Sequence, residues 1–330
     1  MPKSLTNRRD LLIAAGALSL SAFAPAALGQ SPKWPTKPIR IVVAFPPGGL
    51  TDAYARQYGD FLSSRVGQPV TVENKPGAGA QIGIDFVAKS PPDGHTLLMT
   101  TSGTVWQNRV LFSKLPYNLD KDLAPVVFFP SGPLVVGVPE SLGVKTFKEF
   151  VEYAKKNPTS MGTYAPGSYP HMVADQTNRS EGTQIQSVHY RGESPMWVEV
   201  AGGRIQIAVG SYQAFNTVST RGVRPIGVTG SYRSPKLPDV PTLVEQGVGG
   251  RLVPLEGGLP LMAPSGTPET VLQTLSRAAV DWSNTEGAAK LREGFAIPNK
   301  PKNLAETRKD WERDVPIWIK LAVDLGVKLD

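Results

Sequence analysis

The sequence predicts an α/β protein of two domains, and three observations carry that prediction. Short apolar runs bounded by proline and glycine alternate with stretches of helical periodicity. The alternation runs through the first hundred residues and then starts again. The chain has 330 residues, 40% of them hydrophobic and 19% charged, ordinary globular composition with material for about two cores.

The first strand is expected over residues 39–45, an almost wholly apolar run of the kind buried in a parallel sheet. A turn at Pro46-Pro47-Gly48-Gly49 leads into a helix from Thr51, with Tyr54, Tyr58, Phe61, Leu62 and Val66 at helical spacing and Gly67 as its stop. Residues 70–73 form a second strand, Lys75-Pro76-Gly77-Ala78-Gly79 a loop, and Ile82, Phe86 and Val87 mark a second helix. Residues 97–100 make a third strand. This is a βαβαβ layer with right-handed crossovers.

Further strands are expected at 134–138, 161–165, 185–190, 205–209 and 225–229. Thr146 and Glu149 read as a capping box opening a helix that turns Phe147, Phe150, Val151 and Ala154 to one side. Beyond residue 263 the chain reads as mostly helical. Thr267-Pro268 suits a helix start with a capping hydroxyl and proline in the first turn, and Asn303 with Glu306 opens a last long helix, bent at Pro316.

Residues 1–29 have the profile of a cleaved export signal: Lys3, Arg8 and Arg9, then an apolar stretch over 11–24, then Ala27-Leu28-Gly29 at cleavage spacing. The Arg8-Arg9 pair resembles a twin-arginine signal; an ordinary secretory signal is the alternative. Past this segment no apolar run reaches the roughly 18 residues of a membrane span. The chain has no cysteine, which excludes disulfides, thiolate metal sites, a cysteine nucleophile and a lipid anchor on an N-terminal cysteine. Of the net charge of +7, the signal carries +2, and the remaining excess is spread along the chain, arguing against nucleic acid as a partner.

Ligands of open parallel sheets sit beyond the carboxyl ends of the strands. Three such loops here carry little side-chain bulk: residues 46–51; Thr101 with Ser102, Gly103 and Thr104; and Ala165, Pro166, Gly167 and Ser168. Glycine lets main-chain N–H groups approach a ligand, and a following helix N-terminus favours negative charge, so these loops suit a carboxylate. A lone Gly-Pro loop is also simply a turn. Asp52, in the first turn of a helix, reads first as a partner for helix N–H groups and second as a ligand contact. His95, His171 and His189 have no companion at metal-ligand spacing, so neither a metal nor a cofactor is expected. His171 is left between donating to a carboxylate and a structural hydrogen bond.

The motifs in order are Lys37-Pro38-Ile39, Phe45-Pro46-Pro47-Gly48-Gly49 with Asp52, Val72-Glu73-Asn74-Lys75-Pro76-Gly77-Ala78-Gly79, Pro92-Asp93-Gly94-His95-Thr96-Leu97-Leu98, Pro166-Gly167-Ser168 with His171, Leu237-Pro238-Asp239-Val240-Pro241-Thr242 and Ala263-Pro264-Ser265-Gly266-Thr267-Pro268. Together they resemble the Bug-type solute receptors of tripartite tricarboxylate transporters. The resemblance covers nearly the whole chain after the signal. It implies a two-lobed, clam-shell fold of the type II periplasmic binding-protein (Venus flytrap) kind, with residues 30–131 plus 252–330 as lobe 1, 132–251 as lobe 2, and a ligand between them.

It also implies a soluble periplasmic protein, most often a monomer, that binds a small carboxylate and delivers it to membrane permease subunits without catalysis. Carried over, the contacts are Phe45, Pro47, Gly48, Gly49 and Thr51 from one lobe and Ala165, Pro166, Gly167, Ser168 and His171 from the other; Gly210 and Ser211 are added at a further strand end. Two departures bear on specificity. Val209-Gly210-Ser211 stands where some relatives have Phe-Asp-Ser, with the Asp facing a ligand amino group, and Gly257-Gly258-Leu259-Pro260 stands where an aromatic pair is common. Both remove side-chain volume, so the sequence reads as a roomier site for a dicarboxylate or aromatic carboxylate, or as a pocket refilled by Tyr169, Tyr212 or Trp106. The rivals are a ligand sensor for a signalling partner and an exported enzyme. For the latter, Gly77-x-Gly79-x-x-x-Gly83 is an imperfect dinucleotide loop, and no nucleophile elbow or His-Glu-x-x-His is present.

Overall fold

The computed structural model describes residues 34–190, 192–249, 252 and 257–329. The export-signal reading lies outside the described residues, as do Arg191 and residues 253–256.

Elements follow one another as β1 (Ile39–Val43), α1 (Leu50–Val66), β2 (Val70–Asn74), α2 (Gln81–Ala88), β3 (Thr96–Met99), α3 (Ser102–Leu111), α4 (Leu119–Asp122) and β4 (Leu123–Pro130). Next come β5 (Val135–Pro139), α5 (Phe147–Ala154), β6 (Ser160–Thr163), α6 (Tyr169–Glu181), β7 (Gln186–His189), α7 (Glu193–Ala201), β8 (Ile207–Gly210), α8 (Tyr212–Asn216) and β9 (Val223–Val228). The chain closes with β10 (Gly258–Pro264), α9 (Glu269–Ser283), α10 (Glu286–Gly294) and α11 (Leu304–Leu325).

Two five-stranded sheets result, one ordered β2-β1-β3-β10-β4 and the other β7-β6-β8-β5-β9. In the first, β1, β2 and β3 are parallel and β10 is antiparallel to both β3 and β4. In the second, β6, β7 and β8 are parallel and β5 is antiparallel to β8 and β9. Each sheet thus has three parallel strands whose carboxyl ends open on one edge. The loops that the sequence singled out all leave from those edges: the first two follow β1 and β3, and the third follows β6.

Packing makes these edges rigid. Against the first sheet, Tyr54, Tyr58, Phe129 and Trp282 form a buried aromatic cluster with ring centroids 5.5 to 6.2 Å apart. Tyr58, fully buried, donates its hydroxyl to the Leu275 carbonyl at 2.8 Å. Burial of each such ring contributes about 1.5–3 kcal/mol. Against the second sheet, Trp197 packs edge-on to Phe215 at 5.5 Å with Met196 and Val135 around it.

Several expectations are corrected. Ile82 and Phe86 of α2 face outward, 53% and 36% exposed, and the face turned to the sheet is Gly83, Ile84 and Val87. Gly83 is small because the Lys75 carbonyl and Ala44 lie against it. Thr267 does not cap a helix; its hydroxyl donates to the Pro264 carbonyl at 2.7 Å, and Pro268 itself is the residue before α9. The Thr146 hydroxyl does cap α5, but the Glu149 carboxylate returns to the Lys145 N–H, one residue short of a full capping box. Asn303 and Glu306 complete theirs, and α11 continues as one helix through Pro316. Strands β4 and β10 had no counterpart in the sequence reading, because prolines interrupt both.

Candidate functional site

After β1 the chain makes its turn with Gly48 at φ +92°, a left-handed conformation that glycine adopts without the Cβ penalty. The turn is anchored by Asp52. Its Oδ2 accepts the Gly48 N–H and the Arg56 Nε, each at 3.0 Å, while Oδ1 accepts Arg56 Nη2 at 3.0 Å and the Asn74 amide at 2.9 Å. Asn74 also donates to the Phe45 carbonyl at 3.1 Å, so both ends of the turn are tied to one polar cluster. Burial pushes the Asp52 carboxyl up, but the hydrogen bonds from Arg56, Gly48 and Asn74 outweigh it and hold the group below the usual carboxylate range.

The consequence for binding is specific. The Asp52 side chain is saturated and only 7% exposed, and the Gly48 N–H is spent on it. The donors left over are those of the helix start. Gly49 caps α1 without a side-chain bond, and among the described residues nothing accepts the N–H groups of Gly49, Leu50 or Thr51. Pro46, Pro47, Gly48 and Gly49 are exposed, so this end is accessible, and Phe45 is half-buried behind them.

The loop after β3 behaves differently. Thr101 caps α3 and shares a 2.8 Å hydrogen bond with Thr104, so those hydroxyls face each other. Ser102 is 3% exposed and its Oγ accepts the Gly258 N–H at 3.1 Å. Ser102 therefore fastens β10 to α3, and Gly103 lies over Gln107.

The loop after β6 has Gly167 at φ +71°, its N–H donated to His171 Nδ1 at 3.0 Å. That bond makes Nδ1 the acceptor and leaves Nε2 as the ring donor. His171 lies 4.7 Å from the His189 ring, whose Nδ1 shares a 2.6 Å hydrogen bond with Thr163. Burial, and then the neighbouring His189, pull His171 below its ordinary value; burial alone lowers His189. Ser168 donates its hydroxyl to Ala165 O at 2.6 Å, and its own N–H goes to the same carbonyl at 3.2 Å. Pro166 is exposed, Ala165 and His171 are half-buried, and Ser168 is buried.

No hydrogen bond among the described residues joins the 46–51 loop to the 165–168 loop. What meets the second loop is α3 and α11: a Cβ at Gly167 would fall inside Leu111, Tyr169 packs on Trp318 at 6.1 Å, and the Gln107 amide points to Met172 Sδ at 3.9 Å. The third strand end, after β8, holds Gly210 and Ser211. Here the Ser211 N–H and hydroxyl both go to Glu193, a residue that the sequence reading did not select. Its signal was faint: one acidic residue after a glycine at the start of a helix. Asn74 and Arg56 were missed likewise, since nothing local ties them to the turn they support.

Gly210 and Gly258 leave no room for a side chain, whereas a Cβ at Gly257 would sit at ordinary contact distance, 3.5 Å from the Ser102 and Ser131 hydroxyls. A Cβ at Gly210 would meet Trp197 Nε1 at 2.9 Å, Met196 at 3.3 Å and the Glu193 carboxyl carbon at 3.4 Å, and one at Gly258 would meet Phe129 O at 2.5 Å and run into the Phe128 ring. Tyr169 and Trp106 are core residues, the latter stacked on Phe128 at 5.8 Å, and Tyr212 lies against Phe215. The vacated volume is thus filled, by Phe128 and by Trp197, Met196 and Glu193. Among the described residues there is no group of histidine, aspartate and glutamate able to hold a metal ion, and no helix long and apolar enough to cross a membrane.

Comparison with known proteins agrees with this geometry. A family model described as the tripartite tricarboxylate transporter family receptor matches residues 54–297. A curated protein from the tcbD–tcbE intergenic region of Pseudomonas sp. strain P51 is 36% identical over 248 residues, 74% of this chain and 73% of its own. BugT of Bordetella pertussis is 29% identical over 303 residues, 90% and 91% of the two chains. Among solved structures, R. palustris Rpa4515 with adipate superposes with a TM-score of 0.78 at 30% identity, covering 90% of this chain and all of that one. Two helix-flanked sheets in this arrangement, with open loops at their carboxyl edges and this extent of likeness, place the chain in the tripartite tricarboxylate transporter receptor family, as a Bug-type solute-binding protein.

Proposed function

We propose that this protein captures a small di- or tricarboxylate or aromatic carboxylate in the periplasm and hands it to the membrane permease subunits of a tripartite transporter. Lobe 1 comprises residues 30–131 plus 252–330 and lobe 2 residues 132–251, with the ligand between them. The observation that carries this reading is the start of α1, where the N–H groups of Gly49, Leu50 and Thr51 have no acceptor among the described residues while Asp52 fixes the exposed Gly48-Gly49 turn that leads into them. Such a helix end binds an anion through oriented main-chain donors and the helix dipole.

On the facing lobe the His171 N–H and the His171 Nε2 take the same role, with Ala165 and Pro166 shaping the approach. Contact with both lobes at once stabilises the closed state, and no bond in the ligand is broken. The adipate bound to the relative of known structure supports a dicarboxylate cargo. Binding as a monomer and transport rather than catalysis complete the proposal. Thermal-shift screening across dicarboxylates, aromatic acids and amino acids tests it: stabilisation by a carboxylate is expected, and turnover of a substrate by the purified protein alone overturns it.

A further inference from the structure

Glu193 is the acidic side chain that the binding scheme above leaves unused. It opens α7 at the carboxyl edge of the second sheet, next to the loop after β6; the Gly192 N–H donates to the Tyr164 carbonyl at 3.2 Å. The residue is half-buried. The carboxyl carbon lies 3.4 Å from where a Cβ at Gly210 would stand, an ordinary contact distance.

Both donors that reach Glu193 come from Ser211, the N–H at 3.0 Å and the hydroxyl, and both end on Oε2. Oε1 has no hydrogen-bond partner among the described residues, and no described cation pairs with the group. An oxygen that accepts an N–H and an O–H together is the unprotonated one of its carboxyl, so the proton of the neutral acid belongs on Oε1. Burial favours that neutral form and pushes the acid above its ordinary value, against the two Ser211 bonds. The other ionisable groups at this edge are Tyr164, raised chiefly by its burial and further by Glu193, and the His171 and His189 pair on the adjoining strand ends. Tyr164 adds no positive charge, and the burial of both rings favours their neutral forms.

We propose that Glu193 reads the second carboxylate of a dicarboxylate cargo: it stays a neutral acid whose Oε1 proton is donated to the far carboxylate, while the main-chain donors hold the near one. The inference rests on the carboxylate-receptor reading above and narrows its cargo to dicarboxylates, setting aside aromatic monocarboxylates. The proton remains on Glu193 throughout. Above the pKa of the empty site, binding therefore takes up one proton, and affinity falls about tenfold per pH unit.

The test is isothermal titration of the purified protein with adipate and with hexanoate from pH 5 to 8, each in two buffers of different ionisation enthalpy so that proton uptake is read directly. The wild type should take up about one proton more with adipate than with hexanoate. Glu193→Gln keeps an acceptor for Ser211 and a donor for the ligand but cannot titrate, so its adipate affinity should no longer depend on pH through this group. Glu193→Ala should lower the adipate-to-hexanoate preference at least tenfold, with circular dichroism confirming the fold. Adipate binding with no more proton uptake than hexanoate, or an adipate pH slope as steep in Glu193→Gln as in the wild type, overturns the role of Glu193 alone. Failure of both acids to bind at every pH overturns the receptor reading and this inference with it.

Discussion

The Asp52 carboxylate accepts the Gly48 main-chain N–H at 3.0 Å, four residues before it in the chain. This one contact divides the work of the first loop. Gly48 supplies the left-handed turn, Asp52 locks it, and the donors proposed to face the ligand are the three N–H groups that follow.

Removing the Asp52 charge should therefore loosen the turn and soften the acid response. Asp52 is held below its ordinary value in the folded protein, so its contribution to stability is full above the unfolded value near 3.9 and is lost as pH falls through the folded one. In Asp52→Asn the melting temperature should fall less steeply below about pH 4 than in the wild type. Carboxylate affinity should drop about tenfold. Thermal melts from pH 2.5 to 6 and titration at pH 7 check both, and parallel pH curves would count against the strut.

His171 should act as an acid-side weak point. Its folded value is lowered, so neutral His171 stabilises the native loop above the unfolded value near 6.5, and that contribution disappears as pH falls through the folded value. Protonation also removes the acceptor of the Gly167 N–H. Following the His171 ring signal by NMR from pH 4 to 8 should show a midpoint below 6.5 with the Gly167 amide shifting alongside it; a midpoint above that value contradicts the assignment.

Gly48 and Gly167 should respond differently to alanine. A Cβ at Gly48 meets nothing within 4 Å, so only the backbone conformation is penalised, by about 1 kcal/mol. At Gly167 the same kind of strain is joined by collision with Leu111, and the loss should reach about 2–4 kcal/mol. Urea denaturation of the two variants measures the difference; equal losses would mean that Leu111 yields freely.

Ser102→Ala tests the tie between α3 and β10. It leaves the buried Gly258 N–H without its acceptor, at a cost of about 1–3 kcal/mol, with the same denaturation assay as readout. A neutral result would count against that tie.

Which parts of the fold were legible follows from how local their causes are. Strands β1, β2 and β3 and helix α1 declare themselves through apolar runs, Tyr54, Tyr58 and Leu62 at helical spacing, and the Gly67 stop. Strand β10 does not, because Pro260 and Pro264 suppress the pattern and its place is set by pairing with β4, over a hundred residues away. Helix α2 was legible, but which of its apolar residues face the core was not: Ile82 and Phe86 point outward, and Arg40 and Lys75 lie over the Phe86 ring. At the site, the glycine loops were visible in sequence. Their supports, Asn74 beneath one and Glu193 beneath Ser211, were not, since both act across the fold. The two glycine departures looked like missing volume because a sequence does not show Phe128 and Trp197 closing in.

The central claim is that main-chain N–H groups at the start of α1 grip the ligand carboxylate, and Leu50→Pro tests it most directly. Proline is accepted at the first position of a helix, and the extended Gly49 before it (φ −87°, ψ 177°) suits a following proline, so the substitution deletes one donor and keeps the helix. Titrated with adipate, Leu50→Pro should bind at least tenfold more weakly than the wild type, about 1.4 kcal/mol, at a closely similar melting temperature. Unchanged adipate affinity in a folded Leu50→Pro protein would contradict the account.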